Sequence, residues 1–455
     1  MLTPDEVVDV TRDLWKRHSD ELPEHERVND YVRGKLGVPD IPEGAGDELK
    51  DIARMSVKNV LSLVRDAFAQ SLAVSGIRVP EGTEDIEAWS KWQQFKMDAR
   101  QAEIHRPCIT FGASYAIGLS DEVRIRTPRQ MFTVYADPHV DDWPVYGLEN
   151  WIDRSGKKPV RLARLYDGEF WYPISLGSAG LTNRSRDGHQ VKRLGNITVE
   201  MLGEPVRHGA DFCPVVRYVN ARDAEELVVG EVSPLITQQQ ALNVVNFDRL
   251  VVSRFGAHPQ KYAIGWAAAD SGELARVSAS RLMAFDDENV KVGSFTAASV
   301  EPYNAILEEM LAHVALTAQI PPQLIAPMAN LSAEAIAAAE GPYQRKLQEK
   351  RESLGESHEQ LIRLLASYDD IDVPLEAEVM WRDTEARSFA QVVDGVVKLA
   401  TAGVPIETLL DEIPGWSKQQ IDAARSAMRR ESGTRILDQL RAAQVNSGDI
   451  TATAP

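Results

Sequence analysis

Cysteine is almost missing from this 455-residue chain, which has only Cys108 and Cys213, far apart and without CxxC spacing. Neither a disulfide framework nor a structural zinc site is indicated, and a reducing compartment fits. Long apolar runs are missing as well. No uninterrupted stretch approaches the roughly 20 residues needed to cross a bilayer, so no membrane contact is expected. Positive charge is in deficit, with 50 Lys and Arg against 68 Asp and Glu and a formal net charge of -18. That balance argues against a generally basic protein that coats nucleic acid by neutralising phosphates, while leaving room for passing contact with DNA.

Catalytic signatures are lacking too: there is no GxSxG, no HExxH, no Walker A lysine and no paired Cys and His ligands. His105, His208, His258, His313 and His358 are isolated along the chain, and a lone histidine is more often packed or at the surface than a ligand. Acidic pairs such as Glu308-Glu309, Asp286-Asp287 and Asp369-Asp370 are adjacent rather than facing, so they read as solvated surface. No catalytic residue, no metal and no cofactor are expected. The opening segment MLTPDEVVDVTRDLW is acidic and amphipathic rather than basic and then apolar, so no signal peptide is expected. Thr3, Pro4 and Glu6 form a capping box with proline at the first helical position. Asn-x-Ser/Thr matches at Asn183, Asn196 and Asn330 carry little meaning in a cytosolic chain.

What the sequence does have is an ordered unit from Ser299 to Ala339, two helical patterns separated by a loop without charge. In the first pattern Ile306, Leu307, Met310, Leu311 and Val314 recur at the spacing of one apolar face, with Pro302 in the first turn. Pro321 and Pro322 stop that helix, because proline removes a donor and turns the preceding residue away from helical angles. Helix resumes at Ser332, a capping residue, with Leu331 and Ile336 placed as a hydrophobic staple. Between them, 319–331 is apolar and amide-rich, and longer than the 2–8 residues common between packed helices.

Around this unit the period changes along the chain. From Thr3 to about Ala116 it is helical, interrupted by the Gly- and Pro-rich loop 37–46. From Val123 to Val232 it alternates, with candidate strands VRIRT, FTVYAD, VYGLENWID, VRLARLYD and ITVEML and turns at Ser155-Gly156 and Asp167-Gly168, an antiparallel sheet region. Gly177 to Gly188 reads as a mobile polar loop. Ser233 and Pro234 open a long helix that runs to Gly256, with apolar residues spread over more than one stripe. A small mixed insertion spans Tyr262 to Ser294. The helix from Ser332 runs to about Tyr368, with Gly341-Pro342 placed to kink it. Asp372 to Asp383 reads as a strand able to rejoin the earlier sheet, and the rest is helical, with stops at Gly403 and caps at Pro405 and Ser417.

Within the sheet region Asp137, His139, Asp141 and Asp142 lie within six positions, a set that can bind a divalent cation. Proline at 138, inside the cluster, and at 144 makes a solvated polar turn the better reading. A metal-dependent enzyme acting on nucleic acid is the alternative that this cluster keeps open.

The order of elements, and the stretches FCPVVRYVN at 212–220, GEVSPLITQQQALNVVNFDRLVVSRF at 230–255, HPQKYAIGW at 258–266, VKVGSF at 290–295 and LTAQIPPQLIAP at 316–327, carry a resemblance. The chain resembles the portal proteins of tailed phages, most of all those of phages infecting actinobacteria, in the broad class that includes the siphophage portal of Bacillus phages. The likeness covers nearly the whole chain and is best from about Cys213 to Ala339.

The resemblance implies an α+β, mostly helical portal fold with wing, stem, clip and crown, and a ring of identical subunits, usually twelve, at one capsid vertex of the virion. Double-stranded DNA would pass through the centre, and the protein would reside in the host cytoplasm during assembly. Mapped onto this chain, 1–230 and 332–383 would form the wing. Residues 231–258 and 299–318 would be the stem helices, 259–298 the clip and 384–455 the crown. The loop 319–331 would be the tunnel loop, presenting Ile320, Pro321, Pro322, Gln323, Leu324, Ile325, Ala326, Pro327 and Met328 to DNA. Lys261 and Lys291 would be the clip residues that touch DNA or the large terminase. The head–tail adaptor, the major capsid protein and the scaffolding protein would be further partners.

Overall fold

The computed structural model describes residues 1–79, 86–178, 197–222, 228–256, 261–264, 291–294, 299–325, 333–382, 389–410, 420–421 and 423–430. The chain divides into two compact units, Met1–Trp381 and Arg382–Pro455.

The first unit opens with the helix Pro4–Val32, begun as its sequence dictates: Glu6 accepts from the Thr3 N–H at 2.8 Å, and the Thr3 hydroxyl accepts from the Glu6 N–H. Its buried Val7, Leu14 and Trp15 pack on Leu148, Leu165, Tyr172 and Ile174. Those residues belong to one face of a six-stranded antiparallel sheet built on Met131–Val134, Tyr146–Asp153, Val160–Tyr166 and Phe170–Ser178, with Glu200–Met201 and Val206–Arg207 both paired to the last. Met131 and Tyr166 pack with Tyr115, Ile117 and Val215 of a second, three-stranded sheet and with Cys213 just before its strand Val215–Val219. The strand order of this second sheet is Val215–Val219, Ala113–Gly118, Val123–Arg126. The sheet region of the sequence is therefore two sheets joined by a small apolar core.

The largest core gathers Phe68, Trp92, Ile104 and Ile109 with Leu354, Leu361 and Leu365, and continues to Leu242 and Val314 of the two long helices. Each such side chain contributes about 1.5–3 kcal/mol when fully buried. The spine of this core is the 35-residue helix Ala333–Ser367, which continues helical through Pro342. Ser353 and Ser357 donate from it to the carbonyls of Val219 at 2.8 Å and Arg217 at 3.1 Å. They thereby cover the open edge of strand Val215–Val219. Where that strand's neighbour begins, Gly112 stands at φ 93°, and a Cβ there would meet the backbone of Val228 and Val229 at 2.8 Å.

Several expectations need correction. Val74–Arg78, within the stretch read as helical, is a strand, too short for its period to show. It pairs with Glu378–Trp381 as a separate two-stranded sheet. The strand expected at 372–383 thus exists, but it does not rejoin the larger sheets. Phe170–Ser178 is a strand that includes Gly177, where the polar loop was expected to start; residues 179–196 lie outside the described residues. The expected strand at 197–202 shrinks to Glu200–Met201.

In the second unit the helix Phe389–Thr401 ends as expected at Gly403, with φ 99°, and Ile406–Leu409 follows Pro405. Ser417 lies outside the described residues.

Candidate functional site

Two long helices, Ile236–Gly256 and Glu301–Ala318, pack against each other. Gln238 Nε2 donates to Thr317 Oγ1 at 3.0 Å near one end of the pair and Arg249 Nη1 to Asn304 Oδ1 at 3.3 Å towards the other. The first helix follows a 3-10 turn, Ser233–Leu235, with Pro234 in its first turn. A ladder of amides on one face seats it. Gln239 Oε1 accepts from the Val60 N–H and Asn243 Oδ1 from the Lys58 N–H, both at 3.0 Å. Asn243 Nδ2 donates to Gly37 O at 2.9 Å and Asn246 Nδ2 to Ser56 O at 2.6 Å. Spacings of four and three place these amides on a single stripe, and buried polar groups of this kind are costly unless paired.

The second helix ends at Ala318. Gln319 takes the left-handed conformation at φ 57°, and the Ile320 N–H reaches back to Ala315 O at 3.0 Å, a Schellman closure made without glycine. Ile320 and Pro321 are buried in the subunit, Pro322–Leu324 make a 3-10 turn, and Ile325 packs at the edge of the large core. Leu324 is 50% exposed. Ala326, Pro327 and Met328 lie outside the described residues, as do Leu331 and Ser332. From Ser299 to Ile325 the chain carries Glu301, Glu308 and Glu309, all exposed, and no Lys or Arg.

Beside the end of this helix lies an ion-paired cluster that the sequence reading did not single out. Glu231 is held by Lys346 and Lys350, each with Nζ at 2.5 Å from a carboxylate oxygen. Lys350 Nζ also donates to Asn220 Oδ1 at 2.7 Å, and Lys346 Nζ donates to Ala318 O at 3.2 Å. Both ammoniums lie over the Phe68 ring, at 5.4 and 5.1 Å from its centroid. Burial opposes ionisation of Glu231, but the two ammoniums outweigh it and its carboxyl titrates below the usual range. Burial lowers the Lys350 pKa, with Glu231 acting against it. A signal for this cluster was present: in the stripe Tyr343, Leu347, Leu354, Leu361, position 350 is Lys rather than apolar, as position 358, in a separate buried site, is His.

Among the other expected residues, Lys261 and Lys291 fall in one antiparallel ribbon, where Lys261 pairs with Ser294 and Ile264 with Lys291. The cluster at 137–142 is an exposed turn. Asp137 Oδ1 accepts from the His139 N–H at 3.1 Å and Asp141 Oδ2 from the Asp137 N–H at 2.7 Å, so two of its carboxylates serve the backbone. Among the described residues no group of three His, Cys, Asp or Glu is arranged to hold a metal. His105 and His358, read as isolated, are in direct contact. Both cysteines are buried, and burial pushes the Cys108 thiol up to about 12.

Residues 12–434 match the family described as phage portal protein, SPP1 Gp6-like. The portal protein of Mycobacterium phage D29 is 26% identical over 395 residues, covering 80% of this chain and 76% of that protein. The portal protein of Mycobacterium phage L5 is 24% identical over 400 residues, covering 80% and 75%. Among solved structures, a chain of the virion of the native gene transfer agent particle aligns over 82% of this chain and 94% of its own, at 14% identity and a TM-score of 0.39.

Proposed function

The chain belongs to the SPP1 Gp6-like family of phage portal proteins, whose role is the channel for packaged and ejected DNA at a capsid vertex, and we propose how its parts serve that role. Identical subunits close head to tail into a ring of about twelve, a heterologous contact that closes when the rotation per subunit divides the circle. The helices Ile236–Gly256 and Glu301–Ala318 form the stem, and the loop 319–331 approaches the DNA with its outward residues, Leu324 among them, while Ile320 and Pro321 anchor it in the subunit. The ribbon bearing Lys261 and Lys291 belongs to the clip, which meets the large terminase and later the head–tail adaptor. The wing is 1–230 with 332–383, and the crown is 384–455. Capsid and scaffolding proteins meet the ring during assembly in the host cytoplasm. The protein catalyses no reaction of its own.

One observation carries this reading: from Ser299 to Ile325, helix and loop entry together present three exposed glutamates and neither lysine nor arginine. A channel through which a polyanion slides must not grip phosphates, and each lysine or arginine contact would release counterions and tighten binding. Native mass spectrometry of the purified protein, followed by negative-stain imaging, tests it. A ring of about a dozen subunits with a central hole is expected; a stable dimer or tetramer without a channel overturns the reading.

A further inference from the structure

The Glu231 cluster holds two ammoniums against one carboxylate, in a place where the Lys350 side chain is 2% and the Lys346 side chain 19% exposed. One positive charge is left over. Buried charge is costly unless it is met by further polar groups, and here part of the surplus is met by the Ala318 carbonyl, to which Lys346 donates. That carbonyl lies in the last turn of Glu301–Ala318, where main-chain oxygens have no partner inside the helix and the helix dipole is negative. Lys346 therefore caps a helix other than its own. Its other contact, Glu231, lies two residues before Ser233, where the turn leading into Ile236–Gly256 begins. A single side chain thus touches the points where both long helices meet the rest of the subunit.

The backbone at the same point is held away from its preferred state. Gln319 is one of three residues other than glycine with positive φ among the described residues. Such a conformation costs about 1 kcal/mol and persists only where the surroundings fix it.

We propose that Lys346 is a positioning residue that sets the direction in which the chain leaves helix Glu301–Ala318 and enters the loop 319–331, by capping Ala318 while anchored on Glu231. Lys350, almost fully buried and shared between Glu231 and Asn220, is the structural partner that keeps the anchor in place. The consequence for DNA passage rests on the reading of 319–331 as the channel loop; the positioning itself does not.

Hydrogen exchange of the assembled full-length protein, read by mass spectrometry, tests this. In K346M the peptide containing Gln319, Ile320 and Leu324 is expected to exchange about tenfold faster or more, the effect of losing one charge-assisted hydrogen bond. Strand Val215–Val219 should keep its protection, and K346R should restore the loop entry. Should K346M not fold, K346Q, which keeps a donor for the Ala318 carbonyl without the charge, is compared in its place and should exchange at an intermediate rate. Unchanged exchange at 319–324 overturns the proposal. So does acceleration spread evenly over the first unit, which would make Lys346 an ordinary core ion pair. If K346M frees the loop entry while L324K leaves DNA packaging untouched, the channel reading falls and the positioning role stands.

Discussion

His105 and His358 meet Nε2 to Nε2 at 2.9 Å across 253 residues of sequence, in a site that both side chains share with no exposure to solvent. Tyr218 completes the row, its hydroxyl in hydrogen-bond contact with His358 Nδ1 at 3.1 Å. Burial favours the neutral form of both rings, and Trp92 and Trp381 pack around them.

Acid should therefore unfold the first unit early. Burial lowers the His105 pKa to about 4 and that of His358 well below its ordinary value, where the charge on His105 adds to the effect. Burial lowers His18 to about 4 as well. In the unfolded chain all three titrate near 6.5, so below that pH the unfolded state binds more protons. The stability they contribute is complete above about pH 6.5 and is lost as pH falls towards 4, at up to about 1.4 kcal/mol per pH unit for each histidine. Denaturant titrations at a series of pH values check the slope; H105Q should lower it by about one histidine's share, and a pH-independent midpoint between 7 and 4 would refute the account.

Among the described apolar residues of the loop, Leu324 is the one at which charge can be added with least damage, because it is half exposed while Ile320 is buried and Ile325 packs on the core. L324K should leave ring assembly intact and hinder DNA passage, since a ring of added ammoniums grips phosphates in a salt-dependent way. Packaging assays at two ionic strengths decide: normal packaging by L324K counts against the channel position of the loop.

Gly230 and Gly395 should respond in opposite directions to alanine. A Cβ at Gly230 would lie 2.2 Å from the Thr110 carbonyl oxygen, and backbone cannot move aside as a flexible side chain can. G230A should cost at least about 3 kcal/mol, the upper part of the range for overpacking, or prevent folding. Gly395, inside Phe389–Thr401, has nothing within 4 Å of the corresponding point. G395A should stabilise its helix by up to about 1 kcal/mol through helix propensity alone. Thermal melts of the two variants give the comparison.

Which parts of this molecule could be read from its sequence follows from the reach of each interaction. The helix pair, the capping box at Thr3 and the stop at Gly403 are local, written in spacings of three and four and in single capping residues. Strands Tyr146–Asp153 and Val160–Tyr166 are long enough for alternation to show. The five residues Val74–Arg78 are not, and their partner Glu378–Trp381 lies some three hundred positions away. The two histidines and the Glu231 cluster were illegible for the same reason: Lys346 is 115 positions from Glu231 and Lys350 is 130 from Asn220. Only the break in the apolar stripe at positions 350 and 358 hinted at buried polar partners. The loop entry was legible as uncharged, but not that Ile320 turns into the subunit while Leu324 faces outward.

Glu231 tests whether the cluster is held by its charges or by its shape. E231Q keeps the size of the side chain but leaves Lys346 and Lys350 facing each other without a countercharge, and breaking a buried pair from one side typically costs about 3–5 kcal/mol. Removing Lys350 as well should recover much of this loss, because E231Q with K350M leaves only the more exposed Lys346 ammonium, still held by the Ala318 carbonyl, and places a flexible apolar chain beside Phe68. The double variant is therefore expected to be more stable than E231Q alone, with a coupling well above 0.5 kcal/mol in a double-mutant cycle. Additive losses would mean that Lys350 is held mainly by Asn220 and the Phe68 ring, and that Glu231 could be replaced without reference to it.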